Sequence, residues 1–125
     1  MVTVLYAGIL GLMSVLISLA AAQARGRAKV SVGDGGNPEL LLAMRRHANF
    51  VEYTPLALIL IGLLEWNEAP AGAVHALGAG LVVFRASHAL GIKVDSMQSV
   101  PRLVGAMGTM LVTVVASVWA VVLYF

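Results

Sequence analysis

The chain has 125 residues, of which 60% are hydrophobic and 11% charged, with a mean hydropathy of +0.93. Soluble domains run at roughly 45–50% apolar and about 25% charged, so this sequence lacks the polar surface to cover a water-soluble fold and reads as an integral membrane protein. A formal net charge of +2 gives no support to nucleic-acid binding, and the absence of cysteine excludes disulfides, thiolate metal sites and a cysteine nucleophile.

A membrane span needs roughly 20 mostly apolar residues to cross about 30 Å of hydrocarbon. The first candidate covers residues 2–22, and it reads as a retained span rather than a cleaved signal peptide. Its small residues Ala7, Gly11, Ser14, Ser18 and Ala22 recur at alternating spacings of three and four, a stripe suited to close helix packing. A polar, glycine-rich connection follows. Asn37 is a predicted N-cap, Pro38 suits the first helical position, and Glu39 complements the positive helix end. The second helix is therefore predicted over 38–66, with an extension ahead of its apolar part. "EWNEAP" is a short turn to a third span at 71–90, and "GIKVDSMQSVP" leads to a fourth at 102–124. One domain of four helices results: an all-α, integral membrane four-helix bundle.

The cations indicate the topology. Arg25, Arg27, Lys29 and Lys93 lie in or beside the two long connections, and Arg45, Arg46, Arg85 and Arg102 lie on helices near them. The short turn carries Glu65 and Glu68 and no cation. By the positive-inside rule both long connections face the cytoplasm and both termini lie outside. Tyr6, Trp66, Trp119 and Tyr124 fall near the opposite face, as an aromatic belt would.

The second span opens on "RRHANFVEYTPL". On a helix, Arg45, Asn49, Glu52 and Tyr53 share an arc of about 100°, with Arg46 at its flank and His47 pointing largely away. Ionisable residues inside a span are expensive and face a bundle interior or a watery cavity. Arg85 and His88, three residues apart on the third span, repeat the pattern at the same depth, and Arg102 opens the fourth span. Positive charge in excess of Glu52 suits an anionic ligand. Simpler readings stand beside this one. Arg25, Arg27 and Lys29 also serve as headgroup contacts, Arg46 as a snorkelling cation, and Glu52 as the ion-pair partner of Arg45 or Arg85. His75, near the other end of the third span, reads as interfacial.

The motif in the second span resembles that of the MAPEG family, the membrane-associated proteins in eicosanoid and glutathione metabolism. There an arginine is followed four residues on by asparagine and three further by glutamate, often with tyrosine and a nearby proline. Here these are Arg45, Asn49, Glu52, Tyr53 and Pro55. "GDGGNPEL" and "RASHALG" are most similar to the small bacterial branch, whose setting is the inner membrane. The resemblance implies a homotrimer with glutathione as co-substrate, bound between neighbouring subunits near the cytoplasmic face. It assigns glutathione binding to Arg25, Arg45, Asn49, Glu52, Tyr53, Arg85 and His88. To Arg102 it assigns the catalytic task of holding the thiolate. The implied activity is a transferase or peroxidase acting on lipophilic electrophiles, with membrane lipids as further partners. Two departures from the family pattern are Ile92, where some relatives carry a tyrosine, and Leu103, where a polar residue can follow the arginine. The competing functions are a small proton-coupled transporter built on Glu52, and a trimer that binds glutathione or lipid without catalysis.

Overall fold

In the computed structural model, which describes residues 1–95 and 99–125, the chain forms four helices. They are α1 (Thr3–Ala28), α2 (Pro38–Trp66), α3 (Ala71–Gly91) and α4 (Val100–Val122), and each is long and apolar enough to cross a membrane. The protein is an integral, multi-pass, all-α four-helix bundle. Part of the α3–α4 connection, residues 96–98, lies outside the described residues.

Helix ends follow local chemistry more closely than they follow apolarity. Asn37 caps α2 as the sequence predicts, its side chain accepting from the Leu40 N–H at 3.0 Å, with Pro38 in the first turn. By contrast α1 runs past its apolar stretch to Ala28, because Gln23, Ala24, Arg25, Arg27 and Ala28 are good helix formers that carry the helix through Gly26. It stops at Lys29, which takes the left-handed conformation at φ 54°. At 26 and 29 residues, α1 and α2 measure about 39 and 44 Å, so both project beyond a 30 Å hydrocarbon layer. The fourth helix starts at Val100, earlier than the residue 102 expected from the sequence. Ser99 accepts from the Arg102 N–H and donates to the Gly91 carbonyl, so this one side chain both caps α4 and ties it to the end of α3.

α2 is the hub. Its buried residues Leu40, Ala43, Phe50, Thr54, Ala57, Ile61 and Leu64 keep a three–four spacing, and His47, half-buried, falls in the same register. The main core joins Phe50, Ala57 and Ile61 to Leu10 of α1, Val74 and Leu81 of α3, and Val112 of α4. Among the described residues α1 touches α2 and α3 but not α4. The tightest pairing is α3 with α4. A methyl group at Gly105 would overlap the α3 backbone at Phe84 and His88, and one at Gly91 would overlap the backbone of Pro101 and Arg102. Close approach through small residues is how helices associate without a hydrophobic drive between them. It also fixes where Arg102 enters the structure. The small stripe of α1 behaves differently: Gly11 and Ser18 are exposed, and nothing in the subunit lies against Gly11.

Candidate functional site

The helices place most of the charged side chains at one end of the bundle, the end that carries the two long connections. This basic end contains a cleft between α2 and α4, walled by the end of α3 and its following loop. Its mouth is a cavity of about 250 Å³ lined by Arg45 of α2, Arg102 of α4 and Lys93 of the loop, over a floor that includes Leu41, Leu42 and Ile92. One helical turn further in, about 6 Å along α2, a second cavity of about 90 Å³ is lined by Asn49, Tyr53, Arg85, Thr109 and Met110.

Arg85 governs the inner cavity. Its side chain is 2% exposed, and its Nη1 donates to both the backbone carbonyl of Asn49 at 3.2 Å and the Asn49 Oδ1 at 3.0 Å. Its Nε is buried with no hydrogen-bond partner. A buried guanidinium held by one amide side chain and one carbonyl has donor capacity left over, at substantial desolvation cost. Its hydrogen-bond partner is Asn49, so the reading of Glu52 as the counter-charge of Arg85 does not hold.

Arg46 does more than snorkel. Its Nη2 donates to the Ile92 carbonyl at 3.2 Å, and its Nε is buried without a partner. Together with the Ser99–Gly91 bond, this pins the loop that carries Lys93.

The residues named from sequence are sorted by the structure into distinct places. Arg45 and Arg102 meet at the mouth, while Asn49, Tyr53 and Arg85 meet in the inner cavity. Glu52 lines neither; it is exposed, on the far side of α2 from the buried Phe50 and Thr54. The stripe of Arg45, Asn49, Glu52 and Tyr53 is thus split, with the carboxylate outside both cavities of the subunit. His88 is 5% exposed and packs against Gly105, so it belongs to the α3–α4 contact and not to the lining of either cavity. Sharing a face with Arg85 did not give it a shared destination.

Arg25 lies elsewhere. Its Nη1 donates to the Val30 carbonyl at 3.2 Å and the Gly33 carbonyl at 3.0 Å, and its Nη2 approaches the Met44 sulfur at 3.4 Å. Met44 and Asn49 are about 140° apart around α2, so Arg25 sits on the opposite flank of that helix from the inner cavity. Within one subunit Arg25 organises the α1–α2 connection.

Lys93, expected from the sequence as a topology signal, also lines the mouth of the cleft. The signal that could have found it is its place directly after the end of α3, where the chain must turn across the head of the bundle toward α4. Among the described residues no group of three or more His, Asp or Glu side chains could hold a metal ion.

A four-helix membrane bundle with an arginine-lined cleft between its second and fourth helices defines the class. The MAPEG family model matches residues 3–122, and the chain belongs to that family. It is similar to the inner membrane protein YecN of Escherichia coli K12, at 38% identity over 91 residues, covering 73% of this chain and 70% of that protein. YecN of E. coli O6:H1 strain CFT073 matches to the same extent. No solved structure matches.

Proposed function

We propose that this protein binds glutathione, stabilises its thiolate and presents it to a lipophilic electrophile arriving from the bilayer. The observation that carries the reading is the α2–α4 cleft, with a buried guanidinium at its inner end and two more arginines at its mouth. Cations in a partly dry cleft favour an anionic ligand, and arginine is suited to bidentate recognition of carboxylates. Glutathione supplies two carboxylates and a thiol, and its elongated shape suits two cavities stacked one turn apart.

In this reading Arg45 binds carboxylate, while Asn49, Tyr53 and Arg85 hold the peptide in the inner cavity. Arg102 lies beside the sulfur. A free thiol with a pKa of about 8.5 is mostly protonated at neutral pH, and an adjacent guanidinium favours the anion. The sulfur then attacks the electrophile directly, so no protein nucleophile is needed, in keeping with a chain that has no cysteine.

The exposed position of Glu52 supports assembly. A carboxylate within a span is costly against lipid, so a neighbouring subunit is expected to cover it. A homotrimer does this and turns Glu52 toward a site between subunits, where it takes the glutathione ammonium. It also brings Arg25, on the other flank of α2, toward a neighbour's cleft. Glu52 lines neither cavity of the subunit, so the subunit offers no observation that favours the transporter reading. The charge distribution supports a cleft on the cytoplasmic side and both termini outside, and the E. coli relatives support the inner membrane as the setting.

Titration calorimetry of the detergent-solubilised, folded oligomer tests the proposal. Heat of glutathione binding is expected, weakened on the order of tenfold by Arg45→Ala or Glu52→Ala. A folded oligomer that gives no such heat refutes the reading. The ultraviolet absorbance of bound thiolate should fall in Arg102→Leu, and an unchanged band would remove that residue from the chemistry. Binding without conjugation of any electrophile tried would favour the non-catalytic alternative.

A further inference from the structure

We infer that Lys93 is a specificity-determining residue that selects ligands with a free carboxylate at the outer end of the cleft. This rests on the proposed glutathione site and extends it to a residue outside the motif of the second span.

Positive charge is concentrated at the mouth of the cleft. The mouth cavity gathers three cations from three separate parts of the chain: Arg45 from α2, Arg102 from the first turn of α4, and Lys93 from the loop between α3 and α4. No carboxylate is among the described residues lining it. Glu39 and Asp95, the acidic residues nearest in sequence to this lining, are both exposed. The inner cavity contains one guanidinium, already held by Asn49. The mouth is therefore the more positive part of the cleft.

The two carboxylates of glutathione differ in what they require. The one on the glutamyl residue sits beside its own ammonium, so its charge is partly balanced within the ligand. The glycine carboxylate has no such neighbour and gains most from the end where cations converge. Lys93 reaches the same mouth from the α3–α4 loop. The ammonium of lysine contributes as a point charge on a flexible stem, a role compatible with its position on an exposed loop.

The loop is placed to hold Lys93 in register with the cleft. The preceding residue, Ile92, is 8% exposed, and its carbonyl is gripped by Arg46. The Ser99 hydroxyl fastens Gly91 to the start of α4. Lys93 thus follows an anchored residue, although its own side chain is open to solvent.

The test compares glutathione with its glycine monoethyl ester, in which that one carboxylate is blocked, on the detergent-solubilised oligomer. The unmodified protein should bind glutathione on the order of tenfold more tightly than the ester. In Lys93→Gln the affinity for glutathione should fall severalfold, narrowing its lead over the ester, while the affinity for the ester stays as it was. Lys93→Arg should restore most of the discrimination. An unchanged elution volume and thermal midpoint establish that each variant is folded. If Lys93→Gln discriminates as well as the unmodified protein, or weakens both ligands equally, the inference is overturned. If the unmodified protein binds glutathione without discriminating against the ester, Lys93 loses this role while the glutathione site stands. If the unmodified protein binds neither, both proposals fall.

Discussion

The two ends of the bundle handle polar groups in opposite ways. At the end with the short α2–α3 turn, charged and aromatic groups find partners inside the subunit. The Glu65 carboxylate of α2 accepts from the backbone N–H groups of Val2 and Thr3, so one helix caps the open N-terminus of another. The Tyr6 hydroxyl lies 2.8 Å from His75 Nδ1, with the two rings edge to face. Asn67 Nδ2 donates to the Leu63 carbonyl at 2.8 Å. The Thr3 side chain, 8% exposed, lies against the same Glu65 carboxylate.

The basic end shows the reverse. Arg46 and Arg85 each bury an Nε that has no partner, and Arg45 and Glu52 are exposed on α2. Unmet hydrogen-bonding capacity on charged groups costs more than on neutral ones. A chain that settles its polar groups so fully at one end has no chemical reason to leave guanidinium donors over at the other. The difference sets a turn end whose polar groups pair within the subunit against a basic end that keeps buried guanidinium donors to spare, which the proposed ligand would take up.

The largest expected effect separates the two roles at Arg85. Replacing it by methionine removes the buried charge and fills similar volume with apolar atoms. Removing the desolvated charge offsets the loss of its two hydrogen bonds to the half-buried Asn49, so the thermal stability of Arg85→Met should stay within about 2 kcal/mol of the parent. Glutathione binding should nevertheless fall on the order of 100-fold, about 2.7 kcal/mol, because the inner cavity loses its cation. Calorimetry and a thermal melt on the same sample check both halves. A strong loss of stability with binding intact would make Arg85 a structural residue and dissolve the contrast between the ends.

Much of this was legible in the sequence, for identifiable reasons. Hydrophobic runs specify four spans, and Asn37 before Pro38 specifies the start of α2. Those are local signals. The family motif pointed to Arg45, Asn49 and Tyr53, and these do line the cleft. Periodicity could not reveal that Arg85 would reach across to Asn49 while His88, one turn on, packed against Gly105. That depends on which neighbour each side of α3 meets. Nor could it reveal the pairings between Glu65 and the start of α1, or between Tyr6 and His75, whose partners are 63 and 69 residues apart for Val2–Glu65 and Tyr6–His75. Long-range polar contacts leave no trace in spacing. His75, read as merely interfacial, is the partner of a buried tyrosine for that reason.

Glu65 offers the next test of the contrast. Glu65→Ala removes the acceptor of both Val2 and Thr3 N–H groups, so the first turn of α1 loses its cap. The thermal midpoint in detergent should drop measurably, and Glu65→Gln, which keeps one acceptor oxygen, should recover part of the loss. Glutathione affinity should be unchanged in both, since the cap and the cleft lie at opposite ends of α2. A fall in affinity without loss of stability would show that the ends are coupled.

Tyr6→Phe is the smallest and most selective probe. The substitution keeps the ring, which is 8% exposed and packs so closely on Gly78 that a methyl group there would overlap it. Only the hydroxyl is lost, and with it the contact to His75. His75 is itself exposed, so its ring nitrogen can turn to other partners and the cost should be about 1 kcal/mol, near the net worth of one hydrogen bond. Chemical denaturation of the oligomer measures it. A cost well above that would mean that Tyr6 and His75 order the whole turn end together, in which case Tyr6→Phe and Glu65→Ala should be less than additive. Additive losses would leave the turn end as a set of independent fastenings, each local, in contrast to a basic end whose residues are proposed to act on one ligand.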